Sequence, residues 1–122
     1  MADWRNQLQN PALRKYEPIS KHGGGYTPGV HGAVMDLGRA AAAEVLHAAI
    51  YDPGAAAGNK APSLWSYRDG KTYRFMWDNQ GAWHGYPAEE KPPNAVLQQW
   101  RDNGTITEAE FGKIRKYPAR GA

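Results

Sequence analysis

No cysteine occurs in the 122 residues. Its absence removes disulfides, thiolate metal sites and thiol nucleophiles together, and leaves the redox compartment open. Serine is almost as scarce, with only Ser20, Ser63 and Ser66. None of them sits in a Gly-x-Ser-x-Gly elbow, so the string His22-Gly23-Gly24-Gly25, which matches the oxyanion-hole string of esterases, has no nucleophile to serve. Long apolar runs are missing too. The longest, residues 40–43, is four alanines, and residues 1–9 lack the apolar centre of a signal peptide. The sequence therefore reads as soluble, with no membrane partner and no legible address. Neither His-x-His nor His-Glu-x-x-His occurs, and Glu44-x-x-His47 stands on a single helix without the second helix that a carboxylate-bridged metal site needs. No metal and no cofactor are expected. No repeat is visible at a period of 20–50 residues.

What is present suffices for one core. The length suits a single domain over residues 1–122, and 41% hydrophobic residues, with five Trp and seven Tyr, offer enough apolar surface to offset chain entropy. Fifteen Lys plus Arg against twelve Asp plus Glu leave a net charge of +3. That balance permits a polyanionic partner without requiring one.

Along the chain, residues 1–27 read as a short helix and a partly irregular arm that packs only in part, broken at Pro11 and Pro18. Thr27 and Pro28 are placed as N-cap and first position of a helix over residues 28–52, with an apolar stripe of Val34, Leu37, Ala41, Val45 and Ala48. Asp52-Pro53-Gly54 stops it.

Residues 63–86 carry the strongest local signal. Two β-prone runs flank Asp69-Gly70, a two-residue turn whose backbone suits the twist of paired strands. Asp78-Asn79-Gln80-Gly81 makes a second turn, and a third strand returns through Tyr86. If that second loop has four residues, the period of two fixes the faces. Leu64, Ser66, Tyr73, Phe75, Trp77, His84 and Tyr86 would face the core. Trp65, Tyr67, Thr72, Arg74, Met76 and Trp83 would form an aromatic face with Arg74 among the indoles. This register sets Arg74 and His84 on opposite faces unless a bulge near Gly81 or Gly85 re-aims one of them.

Residues 94–117 read as a helical hairpin. Asn94 caps the first helix, which ends at Asn103-Gly104. Thr107 and Glu110 form a capping box, with Ile106 and Phe111 as its hydrophobic staple. A DNA-reading helix-turn-helix is disfavoured, because Trp100 stands where a sharp turn needs a small residue four positions before its Gly. Val96, Leu97, Trp100, Phe111 and Ile114 are expected to cover the sheet instead. The fold class is thus α+β: N-terminal helix or helices, an antiparallel meander of three or more strands, and a C-terminal αα-hairpin.

The remaining polar residues suit metal-independent RNA cleavage. That reaction needs a base for the 2′-OH, an acid for the leaving 5′-oxygen, and a cation for the developing phosphorane charge. His22 and His84 suit the proton transfers, Lys21 and Arg74 suit the phosphate, and His31 is a further imidazole. Trp65, Tyr67, Trp83 and Tyr86 would stack unpaired bases.

The Lys21-His22-Gly turn leading into a helix and then an antiparallel sheet resembles the barnase, EndoU and colicin D-like group of bacterial toxin ribonucleases. The strings Gly70-Lys-Thr-Tyr-Arg-Phe and Gly81-Ala-Trp-His-Gly-Tyr-Pro are similar to C-terminal domains of bacterial polymorphic toxins. The resemblance covers residues 21–87. It implies an endonuclease that cuts RNA, often tRNA, in the cytoplasm of a competing bacterium after delivery from its producer, restrained by a cognate immunity protein. Lys21 and His22 match the catalytic Lys-His pair of that group. A non-catalytic alternative is a bacterial or phage binding or inhibitor module that presents Trp65, Tyr67, Trp83 and Arg74 to a protein partner.

Overall fold

The computed structural model describes residues 4–18 and 35–117. Lys21, His22, His31 and the expected Thr27-Pro28 helix start lie outside the described residues. The architecture is α+β, with helices on both sides of a three-stranded antiparallel sheet.

The sheet is a meander of β1 (Leu64–Arg68), β2 (Lys71–Trp77) and β3 (Trp83–Pro87). The first turn is the expected two-residue one. Asp69 and Gly70 take φ of 52° and 80°, the pair of positive values that a mirror-image turn requires. Leu64 consequently pairs with Phe75, Trp65 with Arg74 and Ser66 with Tyr73.

The second turn departs from the expectation. Trp77 pairs with Trp83, so five residues separate the strands rather than four. The Asp78 N–H donates to the Ala82 carbonyl at 3.0 Å, while Asp78 Oδ1 accepts from the Gln80 N–H at 2.7 Å and the Ala82 N–H at 3.0 Å. Asn79 and Gly81 supply the positive φ, 65° and 108°, that this closure needs. One extra loop residue reverses the faces of β3. Trp83 and Gly85 share a face with Phe75, whereas His84 and Tyr86 share the face of Arg74.

Each face has its own core. The first buries Leu64, Tyr73, Phe75 and Trp83 against Trp4 and Leu8 of α1 (Trp4–Gln9), and Ala42, Val45 and Leu46 of α2 (Arg39–His47). The second buries Trp65 and Tyr86 against Val96, Leu97 and Trp100 of α3 (Asn94–Asp102) and Ile114 of α4 (Glu108–Ile114). The helical hairpin thus covers the sheet, as its apolar positions predict. Its capping box forms, with the Thr107 side chain on the Glu110 N–H and the Glu110 side chain on the Thr107 N–H.

Both sheet edges are covered as well. The Ile50 N–H and carbonyl bond those of Trp65 at 2.8 and 2.7 Å on one side. On the other, Tyr16 bridges Trp83 in parallel, with Trp83 N–H on the Lys15 carbonyl and Glu17 N–H on the Trp83 carbonyl, both at 2.9 Å. Such covering removes the unpaired backbone that edge strands otherwise present.

Three local expectations are corrected. The described part of the long helix begins at Arg39 behind an extended Gly38, because Asp36 is held on the sheet by Lys71 Nζ at 2.6 Å and Tyr73 Oη at 2.9 Å. Its buried stripe is Ala42, Val45, Leu46 and Ala49, not the series through Ala41 and Ala48. Asn94 is the first residue of α3 behind Pro93 and makes no cap bond.

The N-terminal arm, finally, belongs to the core. After a 3-10 turn at Pro11–Leu13, Arg14 is 4% exposed, and among the described residues its guanidinium binds backbone carbonyls: Gln7 at 2.9 Å, Leu8 at 3.2 Å, Leu46 at 2.9 Å and Ala49 at 2.8 Å. They lie at or just beyond the C-terminal ends of α1 and α2, where carbonyls lack intrahelical partners or, as at Leu46, share one with the Ala49 N–H, and where the helix dipole favours a cation.

Candidate functional site

The second face of the sheet is covered unevenly. Thr72, Trp65 and Tyr86 are buried beneath the C-terminal helices, while Arg74, Met76 and His84 further along it are partly exposed. This less covered end holds the polar residues that the sequence singles out and the structure describes.

Arg74 is opposite Tyr86, and His84 is opposite Met76. Arg74 and His84 are therefore diagonal neighbours on one face, a relation that places such residues roughly 7–8 Å apart, with Cβ atoms somewhat closer. The Arg74 guanidinium lies 5.1 Å from the Trp65 ring centre, donates from Nε to Ser63 Oγ at 2.8 Å, and donates from Nη1 to Glu90 Oε2 at 2.8 Å. Tyr86 Oη donates to the same Glu90 oxygen at 2.5 Å. Burial pushes the Glu90 carboxyl up, but the hydrogen bonds from Tyr86 and Arg74 outweigh it and hold the group below its ordinary value. Glu90 is thus an anion at neutral pH, and the pair is largely shielded, with 14% of the Arg74 side chain and 15% of the Glu90 side chain exposed.

His84 is held from the N-terminal arm. Its Nδ1 lies 2.6 Å from the Glu17 carbonyl. A carbonyl only accepts, so Nδ1 carries the proton and the neutral ring keeps its lone pair on Nε2. That nitrogen is 3.8 Å from Asp78 Oδ2 and the side chain is 30% exposed. The geometry presents one ring nitrogen for proton exchange while the other fixes the ring.

The aromatic residues are placed differently from their expected role. Trp83 is 0% exposed on the first face, Trp65 and Tyr86 are buried on the second, and Tyr67 is half-buried with its hydroxyl on Glu110 Oε2 at 2.9 Å. Burial and this hydrogen bond push the Tyr67 hydroxyl up to about 12. These four side chains form packing contacts, so an exposed stacking face made of them is not what the fold presents. Lys21 and His22 lie outside the described residues.

Four contributors had no distinct sequence signal: Ser63, Glu90, Asp78 as the group facing His84, and the Glu17 carbonyl. Glu90 stands in the Pro-rich joint four residues after Tyr86, and only the return of that joint over β2 brings it to Arg74. The Glu44-x-x-His47 pair splits between partners, with Glu44 3.7 Å from Arg68 and His47 Nε2 3.1 Å from the Arg14 carbonyl. Among the described residues no group of three or more His, Cys, Asp or Glu is arranged to hold a metal ion, and no helix is long and apolar enough to cross a membrane.

No protein-family model, no curated protein and no solved structure matches this chain.

Proposed function

We propose that this chain is a metal-independent endoribonuclease domain, of the kind found in bacterial toxins, acting at the less covered end of the second sheet face. The observation that carries the reading is the register of β3, which sets His84 beside Arg74 on one face. An imidazole with one fixed and one free nitrogen can take the 2′-OH proton or return one to the 5′-oxygen. The guanidinium of Arg74, its diagonal neighbour on the same face, can hold the phosphate as charge develops on it, and the Glu90 carboxylate, itself bonded by Tyr86, orients that guanidinium.

The second acid–base group in this proposal is His22, with Lys21 as a second phosphate contact. In sequence they follow Glu17, whose carbonyl holds His84, by five and four positions. The RNA substrate, tRNA foremost, and an immunity protein that blocks the site belong to the same proposal. A non-catalytic module docking through its aromatic face is less well supported, because that role needs Trp65 and Trp83 at the surface and both are buried.

Incubation of the purified chain with total tRNA in chelator tests the reading. Cleavage is expected from the native protein, and a loss of roughly 10²–10⁴-fold from His84→Gln and from His22→Ala, the usual range for a general acid or base. Absence of cleavage by the native chain overturns the activity; full activity in His84→Gln overturns the site.

A further inference from the structure

Beside this site, at the ends of β1 and β2, lies a cleft of about 380 Å³. Its walls combine three kinds of chemistry. Trp77 supplies indole surface beside the edge of the buried Trp4, Asn59 and Asn79 supply carboxamides, and Lys60 supplies a cation. Its floor includes Ser63 and Met76. Ser63 is the hydroxyl bonded to Arg74, and Met76 is paired with His84, so two residues of the cleft lining adjoin the groups of the proposed cleavage site.

The two carboxamides stand on braced loops. Asn79 occupies the left-handed position of the second turn, behind Asp78, whose carboxylate binds the two following amides of Gln80 and Ala82. Asn59 follows Gly58, whose carbonyl accepts from Arg5 Nη2 at 3.2 Å, and the Arg5 guanidinium lies 4.2 Å from the Trp4 ring centre. Both carboxamides are solvent-exposed, and each offers two donors and an acceptor at the rim of the cleft. A flat, apolar body with a hydrogen-bonding edge and an attached anion matches that lining, and a nucleotide is such a ligand.

We infer that this cleft is a nucleobase subsite for the RNA substrate, in which Asn59 and Asn79 read the base edge, the Trp77 indole contacts a face of the base and Lys60 meets the adjoining phosphate. The inference rests on the cleavage reading for its substrate, but the cleft stands on its own lining. It places base selection at the turn between β2 and β3 and at the loop before β1, apart from the groups that transfer protons.

The test uses the full chain, with quenching of tryptophan fluorescence by AMP, GMP, CMP and UMP, and ribose 5-phosphate as the control without a base. One nucleotide is expected to bind at least about tenfold more tightly than ribose 5-phosphate, and Asn59→Ala together with Asn79→Gly to weaken it about fivefold or more, the scale of one or two hydrogen bonds. Glycine keeps the left-handed backbone at position 79, and an unchanged thermal midpoint checks the fold. Equal binding of ribose 5-phosphate, or no effect of the Asn changes, overturns the subsite. A non-cleavable 2′-O-methyl oligonucleotide containing the preferred base should bind more tightly than the free nucleotide; the reverse order assigns the cleft to a free nucleotide and overturns the RNA assignment. Nucleotide binding without any RNA cleavage removes the proposed activity and leaves the cleft a nucleotide site. Cleavage with base preference unchanged in the Asn variant removes the subsite and leaves the activity.

Discussion

Trp77 pairs with Trp83 across the second turn, and their rings meet edge to face at 5.1 Å between centres. That single pairing sets which residues of β3 look toward which helices. It buries Trp83 in the first core, frees His84 from it, and brings His84 to the side of Arg74. Pairing Trp77 with Ala82 instead would bury an imidazole among Tyr73, Phe75 and Leu64 without a partner for its ring nitrogens, a cost that the extra loop residue avoids.

Arg14 is expected to be the most sensitive charged residue for stability. Burial lowers the pKa of its guanidinium, which donates to the carbonyls of Gln7, Leu8, Leu46 and Ala49. Arg14→Met removes a buried donor from all four carbonyls, of which Leu46 keeps its bond from the Ala49 N–H, and should cost about 3 kcal/mol, read as a lower urea midpoint. Arg14→Lys should recover only part of the loss, since an ammonium lacks the planar fork that reaches two helix ends together. Equal stability of Arg14→Met and the native chain would refute the role.

The Arg74–Glu90 pair predicts strong coupling in a double-mutant cycle. Removing one partner takes the opposite charge from a shielded position, while Glu90 keeps its Tyr86 bond and Arg74 its Ser63 bond, and should destabilise by about 3 kcal/mol, whereas Arg74→Met with Glu90→Gln together should cost less than the sum of the two changes. The pH dependence follows from the depressed Glu90 value. A carboxylate held below its unfolded value contributes stability above that value and loses it as pH falls through the folded one. Chemical denaturation of the native chain should therefore show an acid limb at and below about pH 4, the unfolded glutamate range, that Glu90→Gln flattens.

Tyr67 and Tyr73 predict an alkaline limb. Burial comes first in raising both, followed by hydrogen bonds to Glu110 and Asp36, and each hydroxyl is pushed up to about 12. A raised folded value adds stability that is complete below the unfolded value, about 10 for tyrosine, and is lost as pH climbs through the folded one. Ultraviolet titration should show late-ionising phenols that Tyr67→Phe and Tyr73→Phe each reduce. Ionisation of all tyrosines near 10 in the folded chain would contradict the contacts.

Gly85 should reject any side chain. A Cβ at this position would stand 2.5 Å from two ring carbons of Phe75 and 3.0 Å from the Met35 methyl. Phe75 is fully buried and paired directly with Gly85. Gly85→Ala is expected to cost about 1–3 kcal/mol through overpacking, measured by thermal or urea unfolding.

Local chemistry made much of the fold legible in advance. Asp69-Gly70 dictated the first turn, because few other dipeptides accept positive φ twice in succession. Thr107 and Glu110 dictated the start of α4 through bonds made within one helical turn. The period of two along Leu64–Arg68 and Lys71–Trp77 then determined that Arg74 stands opposite Trp65. The parity of β3 depended instead on how Asp78 distributes its hydrogen bonds, and both β3 registers offer an aromatic residue to each core, since Trp83 lies on one face with Gly85 and Tyr86 on the other with His84. Only packing on two sides chose between them. The burial of Arg14, the return of Glu90 to Arg74 and the hold of Glu17 on His84 join residues 16 to 67 positions apart. Contacts of that span arise when helices and loops close over the sheet, so the residue types were readable in the chain and their meeting was decided by tertiary structure.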